Sequence, residues 1–468
     1  MADPAMGVAG ASNFDPIHIE CDVEDLRING ALPRELNGSL IRNGPNPQFD
    51  APGAHWFVGD GMLHSFTLAE GRASYRNRWI RTPKFLAEHD AGRAIFSGFG
   101  GRRLPDAPPT PVTDTGVANT NIVWHGGRLL ALEEAHLPTE IDRRTLATLG
   151  YQDFGGGLPG AFTAHPKVDP VTGEMIFFGY NATGPFSVGM TCGTLDAGGV
   201  VTRLERFEAP FASMVHDFIV TDRHILFPIL PLTGSMERAR AGRPPFAWEP
   251  EKGSHIGVMK RDGSASDMVW FRGEAAYVFH VMNAWEEGDL IMADVMQTEE
   301  APLFPHADGS APDPAKARAR LCRWTFDMSG RADRFTSRYL DDLDGEFPRI
   351  DDRRAGLAHR HGWIACANPD FERIGMFGAV AHFDRVAGRR TVHALPVGDA
   401  TSEPVFVPRG PDAAEGDGWL LSVIWRAAEN RSDLAVFEAT DIGSGPIATV
   451  ELGHRVPFGF HGNWVPAT

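Results

Sequence analysis

Short apolar or alternating runs recur along the whole chain, cut every few positions by turn formers. The clearest are "NIVWHGGRLLALEE", "EMIFFGYNA", "HDFIVTDRHILFPIL", "HIGVMKRDG", "DLIMADVMQ", "RTVHALPV", "WLLSVIW" and "SDLAVFEA". G-G, D-G, T-G or S-G pairs separate them, and Gly supplies the left-handed backbone that tight hairpins require. The pattern predicts hairpin after hairpin. Helical periodicity is confined to 83–96 (PKFLAEHDAGRAIF) and 233–241 (TGSMERARA), both short. No strict repeat, linker or composition break divides the 468 residues. The expectation is one domain over 1–468, with 1–20 as a flexible N-terminal segment.

An all-β chain of this length must cover its sheet edges, either by closing a barrel or by arranging sheets radially. Propeller blades of roughly 40–50 residues fit the length, so a β-propeller is the expected fold, with an array of sandwiches left open by periodicity alone. Composition agrees: 43% hydrophobic and 22% charged residues leave ample material for a core, and Gly (52) and Pro (35) suit many turns. A formal net charge of −17 argues against a nucleic-acid partner and limits membrane contact to weak and peripheral. Cys21, Cys192, Cys322 and Cys366 are scattered without a C-x-x-C pair, as expected of reduced thiols. The opening MADPAMGVAGASNFDP lacks the basic and apolar regions of a leader, and no apolar stretch reaches bilayer length. A cytoplasmic protein is expected.

With 18 histidines in the chain, a pair means little. His89, His224, His359 and His361 sit in polar surroundings and read as solvated. Four others share an apolar or small-residue approach: His165 (GAFTAHPKVDP), His216 (FASMVHDFIVT), His280 (AYVFHVMNAW) and His461 (PFGFHGNW). Their separations of 51, 64 and 181 residues correspond to about one, one and three blades. One histidine per blade on the innermost strand would point imidazoles at a common axis, where they suit a divalent transition metal. The bland alternative for each is a buried histidine satisfied by the backbone.

The segments around these histidines resemble the carotenoid cleavage oxygenases, the family of retinal pigment epithelial membrane protein-like non-haem iron enzymes. The resemblance runs from "LNGSLIRNGPNPQF" (36–49) and "HWFVGDGMLHSF" (55–66) through "GVANTN" (116–121), "LLALEEAHLP" (129–138), "AHPKVDP" (164–170), "MVHDFIVT" (214–221) and "VFHVMNAWEEGD" (278–289). It continues in "GEFPRID" (345–351) and "SEPVFVPRGPDAAEGDGWLLSV" (402–423) and closes in "FHGNW" (460–464). "WEPEKGSHIGVMKRDG" (248–263) is similar to the bacterial lignostilbene- and isoeugenol-cleaving branch.

That resemblance implies a seven-bladed β-propeller capped by loops and short helices over an axial Fe(2+), with His165, His216, His280 and His461 as ligands. It implies that Glu134, Glu346 and Glu403 accept the outward Nδ1–H of the ligands, fixing ring orientation. The implied activity is oxidative cleavage of a conjugated double bond with O2 as co-substrate, giving two carbonyl products. No organic cofactor is expected, because "FGGG" (154–157) lacks the strand-to-helix context of a dinucleotide loop. A stilbenoid or phenylpropenoid alkene, or a carotenoid-derived polyene, is the expected small hydrophobic substrate. In the stilbene-cleaving branch a lysine precedes the first of these glutamates and joins a tyrosine at the substrate phenol. Here Glu133 holds the lysine position, and AIFSGFGGRR (95–104) contains no tyrosine. Phe57 matches a phenylalanine of that pocket. A propeller that binds without chemistry, and a metal-dependent hydrolase, are the rival readings.

Overall fold

The computed structural model describes residues 12–51, 54–99, 101–369 and 376–467. Among them, seven sheets of four to six strands are the blades of a seven-bladed β-propeller, with two short two-stranded ribbons in addition. The chain forms two compact units, one of residues up to Gln152 with those from Trp363 onward, the other Asp153–Gly362.

In the first unit the C-terminal strand Gly462–Pro466 pairs with Gly38–Pro45, whose other edge pairs with Gly61–Ala69. Arg27–Gly30 likewise pairs with Ala448–Leu452. Segments Arg27–Gly30 and Gly462–Pro466, far apart in sequence, are thereby both held in sheets. Strand Gly38–Pro45 buries both faces: Leu40 packs with Phe66, Trp419, Leu434 and Val450, whereas Ile41 packs with Leu63, Ile122 and Val465. Neighbouring strand residues point to opposite faces, so adjacent Leu40 and Ile41 enter two different cores.

The segment expected to be flexible begins outside the described residues, but its second half is anchored. Asn13 Nδ2 donates to Val456 O (3.0 Å), and Ile17 N donates to Asn46 Oδ1 (2.8 Å).

The helix expected over 83–96 is Pro83–Ala91. Thr82 caps it by accepting from Phe85 N, and Gly92, at φ +64°, ends it in the left-handed conformation. Beyond Gly92, Ile95 N and Phe96 N donate to Glu88 Oε1, and Lys84 Nζ bridges Glu88 and Asp60 at 2.7 and 2.8 Å. The second expected helix shrinks to Met236–Arg240.

In the second unit three successive four-stranded sheets begin at Lys167–Val168, Ile219–Val220 and Tyr277–Glu287. Phe178, Phe218 and Phe227 pack ring against ring between the first two of them. His165 and His216 lie just ahead of the first two leading strands, and His280 lies inside the third. One histidine per sheet is what the spacing predicts.

Candidate metal centre

Within the second unit the three imidazoles converge. His165 Nε2 lies 3.1 Å from His216 Nε2, which lies 3.2 Å from His280 Nε2. The His165 and His280 ring centroids are 5.2 Å apart. Local structure aims each ring. His165 N donates to Thr163 Oγ1 (2.9 Å), and Thr163 N donates to Phe178 O (2.7 Å) on the adjoining strand. His280 sits at a β-bulge, where the ladder register shifts between Val278 and Val281. A bulge breaks the alternation of the strand and re-aims a side chain.

The outward nitrogen of His280 is also fixed. His280 Nδ1 lies 2.5 Å from Glu346 Oε2, which accepts from Phe347 N as well (2.7 Å). An ionised carboxylate only accepts, so Nδ1 carries the proton and Nε2 presents a lone pair inward. His216 Nε2 faces two partners. With a proton it can satisfy His280 but then points no lone pair at His165; without one it opposes the His280 lone pair. One of the two contacts lacks a hydrogen bond either way. A cation shared by the three lone pairs satisfies all of them, so this donor set fits a divalent transition metal.

Aromatic rings wall this group. Phe347 stacks on His280 at 5.4 Å between centroids, and Phe279 meets His216 edge-on at 5.1 Å. Phe347 adopts φ +56°, rare for a bulky residue and found where structure over-determines the backbone.

In the first unit His461 is 4% exposed. Its Nδ1 lies 3.0 Å from Glu403 Oε1, and the next residue, Gly462, donates its N–H to Glu403 Oε2 (2.8 Å). His461 N donates to Thr120 O and its carbonyl accepts from Asn43 N. Glycine is required at 462, since a Cβ there would lie 2.7 Å from Arg42 Cγ and 2.9 Å from Ile41 O. Within the second unit, His165, His216 and His280 bring their ring nitrogens close enough together to hold one metal ion.

Phe57, on the turn Trp56–Val58, meets Phe460 edge-on at 5.3 Å, directly beside His461 in sequence. Asn119 Nδ2 holds that turn through Phe57 O (2.8 Å) and Gly59 O (2.7 Å). Glu134 lies two residues past strand Arg128–Leu132 and is half-buried. Glu133 Oε1 accepts from Val117 N (3.1 Å) and lies 2.7 Å from His136 Nδ1. Burial alone would lower the His136 pKa, but the Glu133 charge and hydrogen bond, with Asp114 beside them, outweigh it and raise it to about 9. Tyr151 Oη donates to the same Asp114 (2.9 Å).

Several of these residues escape sequence reasoning. Phe347 and Phe279 adjoin a candidate carboxylate and a candidate ligand, which is a usable signal. His359 and His361, which read as solvated, are each 5% exposed. His359 Nδ1 lies 3.2 Å from the Asn283 side chain, and His361 opens the buried strand His361–Cys366.

Comparison with known proteins extends over nearly the whole chain. The family model described as "Retinal pigment epithelial membrane protein" matches residues 14–466. Isoeugenol monooxygenase of Pseudomonas putida is 40% identical over 464 residues, covering 97% of each chain. Lignostilbene-alpha,beta-dioxygenase isozyme III of Sphingomonas paucimobilis is 34% identical, covering 97% of this chain and 96% of its own. The crystal structure of Pseudomonas brassicacearum lignostilbene dioxygenase superposes with a TM-score of 0.92 at 35% identity, covering 97% of each chain.

Proposed function

The chain belongs to the retinal pigment epithelial membrane protein family, and on that premise we propose that it is a non-haem Fe(II) oxygenase cleaving a conjugated carbon–carbon double bond with O2 to give two carbonyl products. The observation that carries the reading is the convergence of three ring nitrogens, His216 Nε2 lying 3.1 Å from His165 Nε2 and 3.2 Å from His280 Nε2, with the rear nitrogen of His280 tied to Glu346. His165, His216, His280 and His461 hold the ion, with no carboxylate among the ligands. Glu346 and Glu403 keep the Nδ1 protons of His280 and His461 outward, and Glu134 does so for a further ligand. When bound, Fe(II) supplies the open coordination positions and electron density that activate O2.

The protein's own side chains do the rest. Phe279 and Phe347 exclude water beside the histidines, and Phe57 with Phe460 offers flat faces to a flat conjugated substrate. The relatives named for isoeugenol and lignostilbene favour an aryl alkene of phenylpropenoid or stilbenoid size; a shortened apocarotenoid is the second reading. A net charge of −17 disfavours nucleic acid and anionic membrane surfaces. Among the described residues no helix is long and apolar enough to cross a membrane, and we place the enzyme in the cytoplasm.

The test is oxygen uptake by iron-loaded protein with isoeugenol, a 4-hydroxystilbene and an apocarotenal in parallel, with products identified by mass. Aldehydes from the two aryl alkenes are expected. Uptake with the apocarotenal alone would move the substrate class, and no uptake with any would leave a non-catalytic metal-binding propeller.

A further inference from the structure

A carboxylate that the metal reading does not use joins the chain segments that carry all three histidines of the second unit. Asp217 follows His216 directly and its side chain is 2% exposed. Its Oδ1 accepts from Phe218 N (2.8 Å) and lies 2.7 Å from Lys167 Nζ, on the residue two places after His165. Its Oδ2 accepts from Val281 N (2.8 Å), on the residue after His280. Val281 closes the bulge that aims His280. Lys167 is itself located by its ladder pairing with Ile176 and lies 5.8 Å from the centre of the Phe218 ring.

Segments at the start of three different sheets, the strand residues Lys167 and Val281 and the loop residue Asp217, are thus tied to one carboxyl group. Buried carboxylates are costly unless their oxygens are bonded and their charge is met. Here the backbone N–H groups and Lys167 meet both needs, and they do so among residues directly next to or two places from His165, His216 and His280.

We propose that Asp217, clasped by Lys167 and Val281 N, is a positioning residue that preforms the three-histidine face before metal arrives. The proposal rests on the metal-binding reading above. An Asn at 217 keeps the size but has one acceptor oxygen, so it must abandon either Lys167 or Val281 N. Either loss frees one segment to move. Ligand geometry loosened in this way costs metal affinity on the scale of outer-sphere partners, about 10–100-fold.

The experiment titrates Co(II) and Fe(II) into metal-free full-length wild type, Asp217→Asn, Lys167→Met and Lys167→Arg, followed by the visible Co(II) bands, with melting temperature recorded for each metal-free protein. Asp217→Asn should weaken binding about 10–100-fold and shift the Co(II) bands. Lys167→Met should weaken it less, Lys167→Arg should restore it, and Lys167→Met should add little in the Asp217→Asn background. If Asp217→Asn fails to fold, the Lys167 pair carries the same test, because that side chain is a quarter exposed (26%). A lower melting temperature with affinity and bands within twofold of wild type would make the clasp merely structural and overturn the proposal. Wild type that takes up neither metal would overturn the metal reading, and the proposal with it.

Discussion

Two histidine–glutamate pairs share one geometry, a ring Nδ1 against a carboxylate oxygen, in different surroundings. His280 leans on Glu346, whose side chain is 14% exposed and whose further partner is the Phe347 N–H. His461 leans on Glu403, 4% exposed, bonded to Gly462 N and within electrostatic reach of the buried Arg42 guanidinium. Arg42, opposite Gly462 in the strand ladder, has a buried Nε without a hydrogen-bond partner. Burial lowers the Arg42 pKa to about 10, against the raising effect of Glu403 and Tyr75, so it stays charged at neutral pH. A carboxylate near solvent shares its charge with water, whereas one sealed in the core needs a counter-charge fixed by the fold. The deeper pair is the more costly to disturb.

The largest effect expected is shared by both pairs. His280→Ala and His461→Ala should each reduce iron from about one atom per chain to background and abolish alkene cleavage, measured by metal analysis and oxygen uptake. Intact iron in either variant would remove that histidine from the ligand set. The next experiment separates the pairs. Glu403→Gln should weaken Fe(II) binding toward 100-fold and Glu346→Gln nearer tenfold, within the usual range for such partners. Equal or reversed losses would break the burial argument.

Sequence and structure agree best where chemistry is local. Strands such as Leu290–Thr298 and Gly418–Arg426 follow directly from apolar runs bounded by turns, because hairpins join residues close along the chain. The helix at 83 ends five residues early because Gly92 turns left-handed, and Glu88 then takes the next N–H groups. Spacing suggests the four histidines, but selecting them from 18 relies on family resemblance. His361 shows the difficulty: its neighbours are charged, yet the strand it opens is buried. Asp217 and Arg42 were not legible at all. Asp217 bonds a residue 64 positions away, and Arg42 acts on a glutamate brought close by strand pairing between chain ends.

Arg42→Met sharpens the comparison through stability. It should cost about 1–3 kcal/mol in chemical denaturation, somewhat less than breaking a directly bonded buried pair. In a Glu403→Gln background the cost should shrink, whereas in a Glu346→Gln background it should persist. Additivity in both backgrounds would detach Arg42 from Glu403.

Smallest is the effect at His136, a histidine–carboxylate pair in which the imidazole is charged. Its pKa is raised from 6.5 to about 9 in the folded protein. Its stabilisation is therefore complete below about pH 6.5 and lost as pH rises through about 9. With the side chain 26% exposed, the contribution is about 1–2 kcal/mol after solvent screening. Glu133→Gln should flatten stability between those two pH values, and an unchanged slope would contradict the pairing.

The most direct test of the account is X-ray absorption at the iron edge of Fe(II)-loaded protein. The expected result is one iron per chain with four imidazole nitrogens at roughly 2.0–2.2 Å, by analogy with imidazole–zinc bonds. A carboxylate oxygen from the protein among the ligands, or fewer than four imidazoles in wild type, would contradict it.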